Sequence, residues 1–233
     1  MIQKTLKTTH GKLNISIPTQ LSEVTLGQLM EMQEKTDMND LDAISILSSI
    51  PVAELKRVVN FNDFQPFGDH VLSLSHQIKE LYQNDTIPKK VRFILDTKQV
   101  EVNVIRNLSV EPAGAFMAAR DIISEEINEH IKMNGEEDWK ETFNPSLKAC
   151  CHILAHYFYC RVTGNKYDEY AAEQFCGQIK KLGVTEALPI AKRFFTIYPG
   201  LSKQRTGCFH RFQQLWKKRL VSISLKSLSI SIP

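Results

Sequence analysis

Several features are missing from these 233 residues, and each absence removes a class of function. No apolar run approaches the roughly 20 residues needed to cross a bilayer, and Met1-Ile2-Gln3-Lys4-Thr5 lacks the apolar stretch of a secretory leader. The expectation is a soluble protein made in a cytoplasm, with no membrane partner. Glycine is scarce at 10 residues, and there is no phosphate-binding loop, no Gly-rich dinucleotide turn and no Gly-x-Ser-x-Gly elbow. The acidic pairs Glu125-Glu126 and Glu136-Glu137-Asp138 sit on or just after a helical pattern, without the apolar framing that raises a carboxyl pKa for acid catalysis. A non-enzyme without a cofactor is expected. Five cysteines, an odd number with Cys150 and Cys151 adjacent, do not make a disulfide framework and read as reduced thiols.

Acidic residues are also missing from one end. After Glu186 there is none, while Lys192, Arg193, Lys203, Arg205, Arg211, Lys217, Lys218, Arg219 and Lys226 follow. Taking those nine from the 29 basic residues leaves 20 against all 26 acidic ones, so residues 1–186 carry about −6 and the remainder about +9. The C-terminal segment therefore calls for an acidic partner.

What is present reads as a mainly helical α+β chain with a small antiparallel hairpin and a C-terminal extended arm. Residues 12–17 alternate apolar and polar as a half-buried strand does, with Pro18 ending it. Thr25 followed by Gln28 forms the pattern of a capping box at the head of a helix over 26–35. Further helices are expected over 40–49 and 51–59, and over 63–83, where Phe64, Phe67, Val71, Leu74, Ile78 and Leu81 make one stripe. Val91, Phe93 and Leu95, then Val100, Val102 and Val104, flank a polar turn as a hairpin over 90–105, and the strand at 12–17 is the candidate to join it. Helices follow over 111–134, 145–162, 167–180 and 185–198, with Pro199-Gly200 closing the block. The expected division is 1–106, 107–200 and 201–233. At an offset of 87 residues, Val24–Gln33 lies over Glu111–Arg120 with Gly27 on Gly114. That leaves two readings open, a duplicated strand-then-helix unit and coincidence.

The best metal-like pattern is His152, His156 and Cys160, spaced by four on one helical side. Apolar Ile153, Leu154, Tyr157 and Phe158 share that helix and no second ligand pair is nearby, so packed or surface residues are the expected reading and no metal is assigned. Cys176 and Cys208 read as isolated.

The tail carries the partner-binding expectation. Phe209, Phe212, Leu215, Trp216 and Leu220 fall at helical steps among Arg205, Arg211, Lys217, Lys218 and Arg219, a basic amphipathic helix. One reading docks it on its own domain with its charges solvated; the other sets it against an acidic surface. Beyond it Ile223 and Leu225, then Leu228, Ile230 and Ile232, alternate with serines in two runs out of phase across Lys226-Ser227. Such strands either complete the protein's own sheet or add to a neighbouring subunit.

Two stretches carry a resemblance. Glu23-Val24-Thr25-Leu26-Gly27-Gln28-Leu29, followed by Leu41 to Leu55 with Ile46-Leu47-Ser48-Ser49-Ile50-Pro51, is similar to small tailed-bacteriophage proteins. These are tail-assembly chaperone-like proteins and virion proteins of Bacteroidetes-infecting phages, the crAss-like group included. The resemblance covers residues 10–60, and Ser49 stands where that pattern has Gly. It implies a virion protein, a ring or adaptor subunit of the portal, neck or tail held as a homo-oligomer by other phage structural proteins. Its alternatives are an assembly chaperone that never enters the particle and a factor whose basic helix binds nucleic acid, a secondary expectation here.

Overall fold

The computed structural model describes residues 1–81, 86–105, 112–135, 137, 139 and 143–202, and in them the fold is α+β, helices with two separate antiparallel hairpins. The expected extended arm lies outside these residues. Strands β1 (Ile2–Thr8) and β2 (Gly11–Ile17) pair from Ile2↔Ile17 to Thr8↔Gly11. They put Leu6, Ile15 and Ile17 into the core. This corrects the expectation that residues 12–17 join the second hairpin: β2 is taken by β1, and among the described residues no strand links the two sheets. The alternation in β1 is masked because Lys4 stands on the inner face, where its ammonium reaches the Asp63 carboxylate at 3.2 Å and the Asp63 carbonyl at 3.3 Å.

Helix α1 (Leu26–Glu34) opens on the expected Thr25–Gln28 capping box, and α2 (Asp40–Ser48) on a second box between Asn39 and Asp42. Gln28 does more than cap. Its Nε2 donates to the carbonyls of Ile46 at 3.3 Å and Leu47 at 3.1 Å, so the head of α1 satisfies the tail of α2. Thr25, Gln28, Ile46 and Leu47 are thus one hydrogen-bonded joint. Ser49 ends α2 with φ 56°, in the left-handed region where an L side chain costs about 1 kcal/mol or more. Ser49→Gly is expected to stabilise the protein by about 1 kcal/mol, read as a higher denaturant midpoint at unchanged slope.

Helix α3 is only Val52–Leu55, shorter than the expected 51–59. The chain beyond it extends the outer edge of β1 instead, with Val59 N–H donating to Lys7 O and Thr9 N–H to Arg57 O, both at 3.0 Å. A 3-10 turn (Phe61–Phe64) leads into α4 (Gln65–Leu81), whose expected stripe buries Phe67, Leu74 and Leu81.

The second hairpin is β3 (Lys90–Leu95) with β4 (Lys98–Asn103), turning through Asp96 and Thr97, both at positive φ as a tight two-residue hairpin requires. Its outer face pairs Glu101 with Lys90 and Arg92. Its inner face sets Phe93 against Phe158, ring centroids 5.1 Å apart, and against Phe175 at 5.8 Å.

Helix α5 (Ala113–Asn134) lies along α6 (Leu147–Thr163), which is buried on nearly every side, the pattern of a central core helix. Glu126 of α5 accepts from Ser146 N at 3.0 Å and Ser146 Oγ at 2.7 Å, while that same hydroxyl caps α6 at Ala149 N. Glu126→Ala should therefore cost about 1–2 kcal/mol, with Glu126→Gln recovering part of it in thermal unfolding.

The helix expected over 167–180 is two, α7 (Glu169–Gln174) and α8 (Cys176–Ile179), divided at buried Phe175. Helix α9 (Val184–Ser202) runs through Pro199-Gly200, where a stop was expected. A proline this close to a helix end removes only one bond from a ladder already running out of partners. The N-terminal segment docks on the end of α8: Leu26 N–H donates to Leu182 O and Gly27 N–H to Lys180 O, both at 2.8 Å, and Val184 N–H returns to Val24 O at 2.9 Å. The expected segments 1–106 and 107–200 are joined by these bonds. Residues Met1–Phe194 form one compact unit, and Phe195–Pro233 a second, of which 195–202 are described as the end of α9.

Candidate functional site

Every residue expected to hold a partner, from Arg205 through Trp216 and Arg219 to Ile232, lies in 203–233, outside the described residues. Within them, two places stand out.

The first is a groove between α2, the 3-10 turn and α4. Helix α4 turns its stripe inward, which leaves Leu72, one residue off that stripe, 61% exposed, and the turn leaves Phe61 66% exposed. These two and Leu41 line an open depression of about 340 Å³ over a floor of buried Ile44 and Phe64. Phe61 meets Phe64 edge-on with centroids 5.8 Å apart, which fixes its ring in the wall. The lining also holds Asp40 and Asp69 and no cation. Gly68 opens the floor further, since a Cβ there would meet nothing within 4 Å. Single exposed apolar side chains are ordinary, but two large ones sharing a depression with two carboxylates suit an amphipathic, basic partner.

The second is a thiol and imidazole cluster on α6 and α8. His152, His156 and Cys160 do lie on α6, but they face different groups. His156 is buried, with Nδ1 2.9 Å from the Tyr167 hydroxyl, and burial lowers its pKa while pushing Tyr167 up to about 12. Cys160 is half-buried, its thiol pushed up by desolvation. His152 is half-buried, and Cys176 raises its pKa. Among the described residues no three His, Cys, Asp or Glu side chains form a group that could hold a metal ion.

Cys176, read as isolated, is brought against Cys151 and His152. The Cys151 thiol donates to the Cys176 carbonyl oxygen at 3.8 Å, and Cys151 and His152 nearby hold the Cys176 thiol well below the ordinary thiol pKa. In return Cys176 raises the pKa of His152, and Cys176 and burial raise that of Cys151. The spacing could not have revealed this cluster. Cys151 and Cys176 are brought together only by the reversal of chain direction between α6 and α8, and local periodicity carries no record of that contact.

No protein-family model matches the chain, and neither the curated proteins nor the solved structures gave a significant match.

Proposed function

We propose that this chain is a structural subunit of a tailed-phage particle, a ring or adaptor component of the portal, neck or tail, held in a homo-oligomer by its basic C-terminal segment and carrying out no bond-making of its own. The observation that carries this reading is the groove of Phe61, Leu72, Asp40 and Asp69. It presents apolar surface beside negative charge, and the same chain supplies the complement: a segment over 203–219 whose sequence predicts a helix with Phe209, Phe212 and Trp216 on one side and Arg205, Arg211, Lys217, Lys218 and Arg219 around them. The occupant assigned to the groove is that segment from a second copy. A site that differs from the segment filling it makes a head-to-tail contact, and head-to-tail contacts form a ring when the rotation between copies closes. The alternating 221–232 then serves as a strand arm laid on the neighbour.

Light scattering on the full chain gives the first test, with a closed multimer expected and a monomer at all concentrations overturning the reading. Mass spectrometry of purified particles gives the second. Stoichiometric presence supports a structural component, while absence together with co-purification of a tail protein supports an assembly chaperone. Tight binding to DNA that weakens steeply with salt would move the basic segment to phosphate instead.

A further inference from the structure

We propose that the outer face of the first hairpin is a docking surface for the phosphate backbone of duplex DNA, held weakly and without regard to base sequence.

The pairing register defines this face. Thr8↔Gly11 closes the turn, which sets Lys7 opposite Lys12, Thr5 opposite Asn14 and Gln3 opposite Ser16. These six alternate with the inward Leu6, Ile15 and Ile17, and all are exposed except half-buried Ser16. The bridge Thr8↔Val58 carries the surface onto the neighbouring chain. There exposed Val59 bonds to Lys7 O, and exposed Arg57 stands at the tip with its carbonyl taking the Thr9 N–H.

Charge singles this surface out. Residues 1–186 carry about −6, yet no acid precedes Glu23. The inward Lys4 is matched by Asp63 at 3.2 Å. Lys7, Lys12 and Arg57 have no ion pair among the described residues. Like charges directly opposite on an antiparallel pair, with Cβ atoms about 5 Å apart, destabilise a sheet. Lys7 opposite Lys12 is such a pair, and an anion laid between the two ammonium groups removes its cost.

The other side chains select the anion. Gln3, Thr5, Asn14 and Ser16 are uncharged hydrogen-bonding groups, and Thr5 Oγ1 donates to Asn14 Oδ1 at 2.6 Å, which leaves the Asn14 amide N–H groups to donate outward. Lysine and arginine interleaved with hydroxyls and amides are the groups that contact phosphate oxygens. An acidic protein would need a large buried anchor as well, and of these residues only Val59 is apolar. A single strand is held by bases stacked on aromatic rings, and none of these residues is Phe, Tyr or Trp. A duplex asks only for cations along its backbone, and it presents the denser charge, one for about every 1.7 Å of axis.

The test uses the full chain and a short DNA duplex, with Arg211→Gln, Lys217→Gln, Lys218→Gln and Arg219→Gln in place so that the C-terminal charges do not dominate. Fluorescence anisotropy should give a Kd on the order of 10⁻⁴ M at physiological salt. Three phosphate contacts imply a log–log salt slope of about −2.7, so affinity should fall about 40-fold between about 50 and 200 mM salt. Adding Lys7→Gln, Lys12→Gln and Arg57→Gln should make the slope shallower by about 2.7 and weaken binding at the lower salt by about tenfold or more. The unfolding temperature should hold or rise, because the opposed lysines are gone. Absence of duplex binding before those three changes would overturn the proposal. So would unchanged binding after them, or tighter binding to poly-glutamate or to a single strand of the same length. The surface lies within residues 1–59, so neither result bears on whether the chain assembles.

Discussion

If the proposed ring forms, the double variant Leu72→Arg, Asp69→Arg is expected to be a monomer at concentrations where the unaltered chain assembles into a closed multimer. Both side chains lie in the groove wall and neither supports the fold: Leu72 is exposed, and Asp69 is exposed with no ion pair among the described residues. The substitutions should leave helical circular dichroism and the unfolding midpoint nearly unchanged. Burying Leu72 under a partner contributes about 1.5–3 kcal/mol, and an arginine in its place faces Arg211 or Lys217 of the incoming segment. A loss of about 2–3 kcal/mol per contact weakens each one about 30- to 150-fold. Every copy in a ring makes the same contact twice, once as groove and once as arm, so closure fails cooperatively. Deleting residues 221–233 should also abolish assembly while leaving the helical signal. Loss of the fold on that deletion would mean that those strands complete an internal sheet, and an intact multimer of the double variant would remove the groove from the interface.

What could be read from the sequence, and what could not, follows from the range of the interaction responsible. The stripe of α4, the second hairpin and the Thr25–Gln28 box are written in residues a few positions apart, and each appears where the pattern places it. The first strand was hidden because Lys4 holds an inward position only by virtue of Asp63, a partner 59 residues away. The tail of the third helix was lost to the edge of β1, again a distant backbone claim on Val59. Glu126 looks solvated until the start of α6 is folded onto it. Local propensity competes with such contacts and yields to them.

The groove and the thiol cluster show the same division. Phe64, Phe67 and Leu74 declare the buried side of α4, which leaves Leu72 off the stripe. Nothing local says that Phe61 comes to stand beside it. For the cluster, the helical spacing of His152, His156 and Cys160 suggested one shared site, whereas the fold gives each a different neighbour. Cys176, whose sequence surroundings give no sign of the contact, takes the Cys151 thiol on its carbonyl oxygen.

The glycine pair at positions 27 and 114 yields the largest expected loss of stability. Each is the second residue of a helix that follows a hairpin, and each is approached closely, but by different kinds of atom. A Cβ on Gly27 would stand 3.0 Å from the Lys180 carbonyl oxygen, the acceptor of Gly27's own N–H. Backbone held at both ends cannot retreat, so Gly27→Ala should strain the bonds to Lys180 and Leu182 together and cost about 3 kcal/mol, a large part of the stability of a domain this size. On Gly114 the Cβ would come within 2.6 Å of the Tyr167 ring, which can swing aside by giving up His156. Gly114→Ala gains helix propensity in partial return, so about 1–2 kcal/mol is expected there. A double-mutant cycle separates the two cases. Removing the ring with Tyr167→Ala should erase most of the Gly114→Ala penalty, whereas Lys180→Ala should not relieve Gly27→Ala, because the atoms in its way are the Lys180 carbonyl oxygen at 3.0 Å and the Lys180 Cβ at 3.1 Å, both of which alanine keeps. If Gly27→Ala unfolds at the same denaturant concentration as the unaltered protein, the junction between α1 and the end of α8 is not the tight contact described.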